Sequence, residues 1–111
     1  MRMWLVEPRT MCRQHLLGEH LEMHMFNSCI EGGRNLSGYI DHGLVMPHYI
    51  HLRHDDLAVE MLARGYNHTT PIKFLNPRIE GNVDGLANKQ ILRDRCEECR
   101  KLQDQYEKED L

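Results

Sequence analysis

Turn-forming residues cut this chain into three long segments, and that spacing constrains the fold more than any other feature. Met11–Phe26 holds no proline and one glycine. Glu31-Gly32-Gly33-Arg34-Asn35 is turn chemistry, and Asp41-His42-Gly43 is a second break after a short segment at Leu36–Ile40. Pro47 suits the first turn of a helix, where a missing N–H costs nothing, and Gly65 suits its end after Arg64. Between them Ile50, His54, Leu57, Met61 and Leu62 recur at three- and four-residue steps, so one face is apolar. Residues 66–82, with Asn67, Thr69, Thr70, Pro71, Asn76, Pro77, Gly81 and Asn82, read as a long loop. A last helix is expected from Val83 or Leu86 to Glu107, with Leu92, Cys96, Cys99, Leu102 and Tyr106 on its seam. Thr10 is the expected N-cap of the first helix. The class is therefore all-α: a single compact domain spanning 1–111, with three main helices and long loops.

A chain of 111 residues has room for one modest core. No run of apolar residues is long enough to span a membrane, and Met1–Val6 lacks the pattern of a signal peptide, so the expected location is the cytoplasm, with no membrane partner. Cys12, Cys29, Cys96 and Cys99 then read as reduced thiols rather than a secreted disulfide framework. The net charge of −3 is uneven: residues 1–95 carry 11 Lys/Arg and 11 Asp/Glu, whereas 96–111 carry 3 and 6. A nucleic-acid binder usually presents a basic face, so composition by itself argues mildly against DNA.

Chemistry concentrates in Arg13–His24. On a helix His15, Glu19 and Glu22 share one face, while His20 and His24 share another edge. A zinc-protease motif needs Glu directly after the first His; here His20-Leu21-Glu22-Met23-His24 puts it one place too late. A His20/His24 metal pair needs a third ligand, with Glu19, His48, His51 and His54 as candidates, and a charged, solvated helix face is the plainer alternative. Cys96-Glu97-Glu98-Cys99 is half of a zinc site by spacing, but with no obvious second pair, core packing is the preferred reading. His48, His51 and His54 form a row on the second long helix that is read as surface or half-buried in preference to a ligand set, with a DNA-facing row as the third option.

The order and spacing of Met1-Arg2, Gln14-His15-Leu16 with Glu19 and Glu22, and Leu62-Ala63-Arg64-Gly65-Tyr66-Asn67 resemble the phage-type pyrimidine-dimer DNA glycosylase (UV endonuclease) family over roughly residues 1–70. The resemblance implies a DNA glycosylase with abasic-site lyase activity, no cofactor, no metal, and damaged or modified DNA as partner. It implies Met1 and Glu22 as catalytic residues, with the α-amine of Met1 as nucleophile because a bulky Arg2 blocks removal of the initiator. Arg2, Gln14, His15, Glu19 and His20 form the expected DNA-facing set. α-Amines as a class titrate at about 7.7–8.0, some two units below lysine, which suits them to Schiff-base chemistry near neutrality. Exposing C1′ requires a flipped nucleotide, at a cost of about a few kcal/mol. Where the best-known member of the family places two DNA-facing arginines on this helix, the chain has Leu21 and Met25, and an acidic C-terminal segment replaces that member's aromatic, basic one.

Overall fold

Helix α1 (Arg13–Glu31) runs through the molecule as its longest element. Its cap is Cys12, whose thiol accepts the His15 N–H, and not Thr10. Thr10 instead closes a short 3-10 turn at Pro8–Thr10, its hydroxyl donating to the Glu7 carbonyl at 2.6 Å. The helix continues five residues beyond Phe26 because the first break is at Gly32–Gly33, where Gly33 takes φ +71° and Arg34 N–H returns to the Cys29 carbonyl. The computed structural model describes residues 1–68 and 70–109; Thr69, placed in the long loop by sequence, and Asp110–Leu111 lie outside the described residues.

Helix α2 (Ser37–Asp41) is a single short turn before the Gly43 break. Pro47–Tyr49 then forms a second 3-10 turn that leads into α3 (Ile50–Ala63). Gly65, at φ +81°, lets Tyr66 N–H reach back to the Met61 carbonyl and ends the helix where the sequence indicated. No helix or strand forms between α3 and residue 85 among the described residues. The expected last helix is two helices, α4 (Gly85–Arg95) and α5 (Glu97–Glu109). The break falls at Cys96, in extended backbone at φ −130°, ψ 108°, where its N–H closes α4 on Leu92 and its carbonyl opens α5 to Arg100.

The described structure is all-α, 63% helical and a single globule. None of its helices is long and apolar enough to cross a membrane. Leu16, Met23 and Phe26 of α1 pack with Ile50 and Leu57 of α3, Met3 and Met11 of the N-terminal segment, Val45, and Leu92 and Cys99 of α4–α5, all almost fully buried. Each such apolar side chain contributes about 1.5–3 kcal/mol. The buried arc of α1 is bordered on one side by His15 and Glu22 and on the other by His20 and His24, as its helical period dictates. Both borders gather chemical groups, and the helix presents each to a different part of the fold.

Candidate active site

Chain termini ordinarily fray, but this N-terminus is clamped from both sides. Met3 donates its N–H to the Leu44 carbonyl at 2.7 Å, and its side chain is fully buried. Asn88 of α4, itself buried, donates to the carbonyls of Trp4 at 2.8 Å and Met3 at 3.4 Å. The same Asn88 accepts the Arg2 guanidinium at 2.6 Å, and that guanidinium stacks 3.9 Å above the Trp4 ring. Leu5 turns the chain away in left-handed backbone, φ 56°, a conformation that costs a non-glycine residue about 1–2 kcal/mol. Asn88→Ala should therefore destabilise the protein by about 1–3 kcal/mol, because two buried carbonyls lose their donor. Urea unfolding measures this, and an unchanged midpoint would show that the clamp is dispensable.

The clamp delivers the Met1 amine to 3.7 Å from Glu22 Oε1. Both groups are half-buried. Burial pushes the Glu22 carboxyl above the ordinary carboxylate range, while the Met1 ammonium and the Arg2 backbone N–H pull it part of the way back. An amine and a carboxyl of raised proton affinity therefore meet at the border of α1, a pairing suited to amine addition and proton transfer.

The other expected site residues separate into distinct environments. Gln14 is exposed in the first turn of α1. Glu19 is 1% exposed, and both its oxygens are held by Arg53 of α3, Nε at 2.6 Å and Nη2 at 2.9 Å. That pair is internal, because Arg53 also donates to the Val6 carbonyl at 2.8 Å and so ties the N-terminal segment to α1 and α3. His15 meets Trp4 edge to face at 5.8 Å, but its Nδ1 turns to Cys12 Sγ at 3.1 Å and Cys99 Sγ at 3.6 Å. Burial lowers its pKa. His20 lies on the opposite border of α1, packed against the rings of His24, His54 and His68. Burial first, and then the neighbouring histidines, push it down to about 4. Leu21 and Met25 are exposed, at 60% and 44%.

Two clusters emerge that the chain's linear order conceals. Cys12, His15, Cys96 and Cys99 bring their donor atoms within 4.8 Å of one another, and so do His20, His24, His54 and His68. The second pair that Cys96-x-x-Cys99 lacked is Cys12-x-x-His15, with the same spacing, 84 residues earlier. The His20/His24 pair is joined by His54 and by His68, which the sequence did not single out. Glu19 is occupied by Arg53, His48 is exposed, and His51 faces Asp55 at 3.7 Å.

Residues 1–74 match the sequence profile of a family described as pyrimidine dimer DNA glycosylase, two thirds of the chain. The chain belongs to this family. No curated protein and no solved structure matches it. The matched region of this pyrimidine dimer DNA glycosylase family member contains Met1, Arg2, Glu19, Glu22 and all of α3, so the family assignment covers the amine–carboxylate pair. Asn88, Cys96 and Cys99 lie outside it, on the α4–α5 segment that braces the N-terminus. As a member of a DNA glycosylase family the protein acts on DNA.

Proposed function

We propose that this family member is a DNA glycosylase with abasic-site β-lyase activity, acting on damaged or modified duplex DNA or on a bare abasic site. The observation that carries the reading is the approach of the Met1 amine to within 3.7 Å of Glu22 Oε1. The amine lone pair attacks C1′ of the flipped nucleotide. The glycosidic C–N bond breaks, and the base leaves with the electron pair and takes up a proton. The C1′–O4′ bond then opens as the nitrogen forms a protonated Schiff base. Glu22 lies beside this cation, stabilises it and relays protons. Loss of the C2′ proton drives the electrons outward and expels the 3′ phosphate, which nicks the strand. Water finally hydrolyses the imine and returns the free amine.

Arg2, stacked on Trp4 and tied to Asn88, orients the backbone that carries the amine. Gln14, exposed in the first turn of α1, is free to meet DNA. His15 supports it through Trp4, and Glu19 positions α1 through Arg53. His20 lies on the far border of the helix, packed against His54 and away from the amine. The exposed Leu21 and Met25 offer an apolar surface where charged phosphate contacts are expected from the family resemblance, which favours recognition of an unstacked or distorted nucleotide over backbone attraction.

Borohydride reduction on a duplex with one abasic site, followed by mass spectrometry of the cross-linked peptide, tests the reading. The expected adduct is on the α-amine of Met1, and it disappears when residues are appended before Met1 in a protein that still folds. An adduct on a lysine, or none from folded protein with a free amine, would overturn the mechanism.

A further inference from the structure

We infer that Cys12, His15, Cys96 and Cys99 bind one zinc ion that fastens α4 and α5 to the start of α1. A tetrahedral zinc with thiolate bonds of about 2.3 Å and imidazole bonds of about 2.0–2.1 Å requires ligand edges of about 3.8 Å between sulfurs and about 3.6 Å between sulfur and nitrogen. The structure has Cys96 Sγ to Cys12 Sγ at 3.8 Å, Cys99 Sγ to His15 Nδ1 at 3.6 Å and Cys12 Sγ to His15 Nδ1 at 3.1 Å. The two ligand pairs are built alike. Cys12 immediately precedes α1 and receives the N–H of His15, and Cys96 immediately precedes α5 and receives the N–H of Cys99. Cys99 Sγ in turn accepts the Cys12 N–H at 3.3 Å. Backbone donors and two helix N-termini thus converge on the sulfurs.

The donor set selects the ion. Three sulfurs and one imidazole in tetrahedral array suit zinc, and four protein ligands leave no open position, so the ion is structural. It also explains a break that no glycine or proline imposes: α4 and α5 separate at Cys96, the residue whose extended backbone turns its thiol toward Cys12. The family-matched residues 1–74 contribute Cys12 and His15, and the C-terminal segment contributes Cys96 and Cys99. The ion therefore joins two parts of the chain that the family profile separates.

Independent observations point to a second zinc at His20, His24, His54 and His68. Nε2 of His24 and His54 lie 3.1 Å apart, close to the edge of about 3.3 Å that two imidazoles take on a tetrahedral zinc. Nε2 of His20 and of His68 are buried and have no hydrogen-bond partner among the described residues. Buried polar atoms are rarely left so, and an ion among these rings satisfies both. His54 is 1% exposed, and its Nδ1 pairs with Asp55 Oδ1 at 2.8 Å. A carboxylate behind an imidazole fixes the tautomer that leaves Nε2 free for metal. This ion would tie α1 and α3 to the start of the loop that follows α3.

Neither site depends on the glycosylase reading, and the test reads metal, not activity. Reduced, zinc-loaded protein freed of loose metal should hold two zinc ions per chain by elemental analysis. Cys96→Ser/Cys99→Ser and His24→Ala/His54→Ala should each hold one. Cobalt substitution of the intact chain should give a thiolate-to-metal charge-transfer band that only the cysteine variant loses. If either variant fails to fold, X-ray absorption of the intact protein decides: two sites average about 1.5 sulfur and 2.5 nitrogen neighbours per zinc. A shell of about three sulfurs and one nitrogen, with one zinc per chain, overturns the histidine site. A shell without sulfur, or a cysteine pair that oxidises to a disulfide and takes up no cobalt after reduction, overturns the cysteine site.

Discussion

Glu22→Gln is expected to slow strand cleavage at an abasic site by about 10²- to 10⁴-fold, the range for removing a positioned acid–base group. The amide has the same shape and can still face the Met1 amine, so folding should change little. What disappears is the negative charge 3.7 Å from the amine and the capacity to carry a proton. Both matter after the nitrogen has attacked, when the intermediate is cationic and a proton must leave C2′. The loss should therefore fall on kcat, with KM for the abasic duplex nearly unchanged. Single-turnover cleavage separates these, and borohydride trapping reports whether the Schiff base still forms. A variant that cleaves at the full rate would remove Glu22 from the chemistry and leave its raised proton affinity as a consequence of burial alone.

The sequence revealed more of the helices than of the contacts between them. Gly33 and Gly65 end α1 and α3 because each takes positive φ, a property glycine advertises locally. The cap of α1 was misread because Thr10 is a conventional capping residue, whereas Cys12 takes that role with a thiol drawn toward Cys96 and Cys99. The α4–α5 break carries no proline or glycine signal, since its cause is a tertiary cluster whose halves are 84 residues apart. Cys12-x-x-His15 was visible as a pair with the spacing of Cys96-x-x-Cys99, yet the family resemblance drew His15 into the DNA-facing set. Helical period assigned Glu19 and Glu22 to one face equally well. It could not tell that Glu19 lies a turn deeper, because the partner that decides its burial, Arg53, is on another helix. The amine–carboxylate pair was legible only through family resemblance, since two residues 21 positions apart in sequence carry no local pattern.

Arg53→Met is expected to destabilise the protein by about 3–5 kcal/mol, a large share of the about 5–15 kcal/mol that holds a small domain together. The reason is the charge left behind. Glu19 is 1% exposed and both its oxygens depend on Arg53, so the substitution strands a carboxylate in the core. Glu19→Leu combined with Arg53→Met removes both charges and should recover most of the loss, because apolar replacement of a whole buried pair is often neutral. Recovery should nonetheless be incomplete, since the Val6 carbonyl also loses the 2.8 Å bond from Arg53 Nη1. Urea unfolding of the two single variants and the double gives the coupling directly. An Arg53→Met protein within about 1 kcal/mol of the parent would mean that Glu19 finds water or a proton in the core, and the pair would then be no keystone. If the cycle closes as expected, the double variant separates stability from placement. Its core is restored, but Val6 no longer hangs from α3, and the segment that aims the Met1 amine is held on one side less. Schiff-base trapping in that variant should lag behind its recovered stability, which would identify Arg53 as a positioning residue acting through the N-terminal segment.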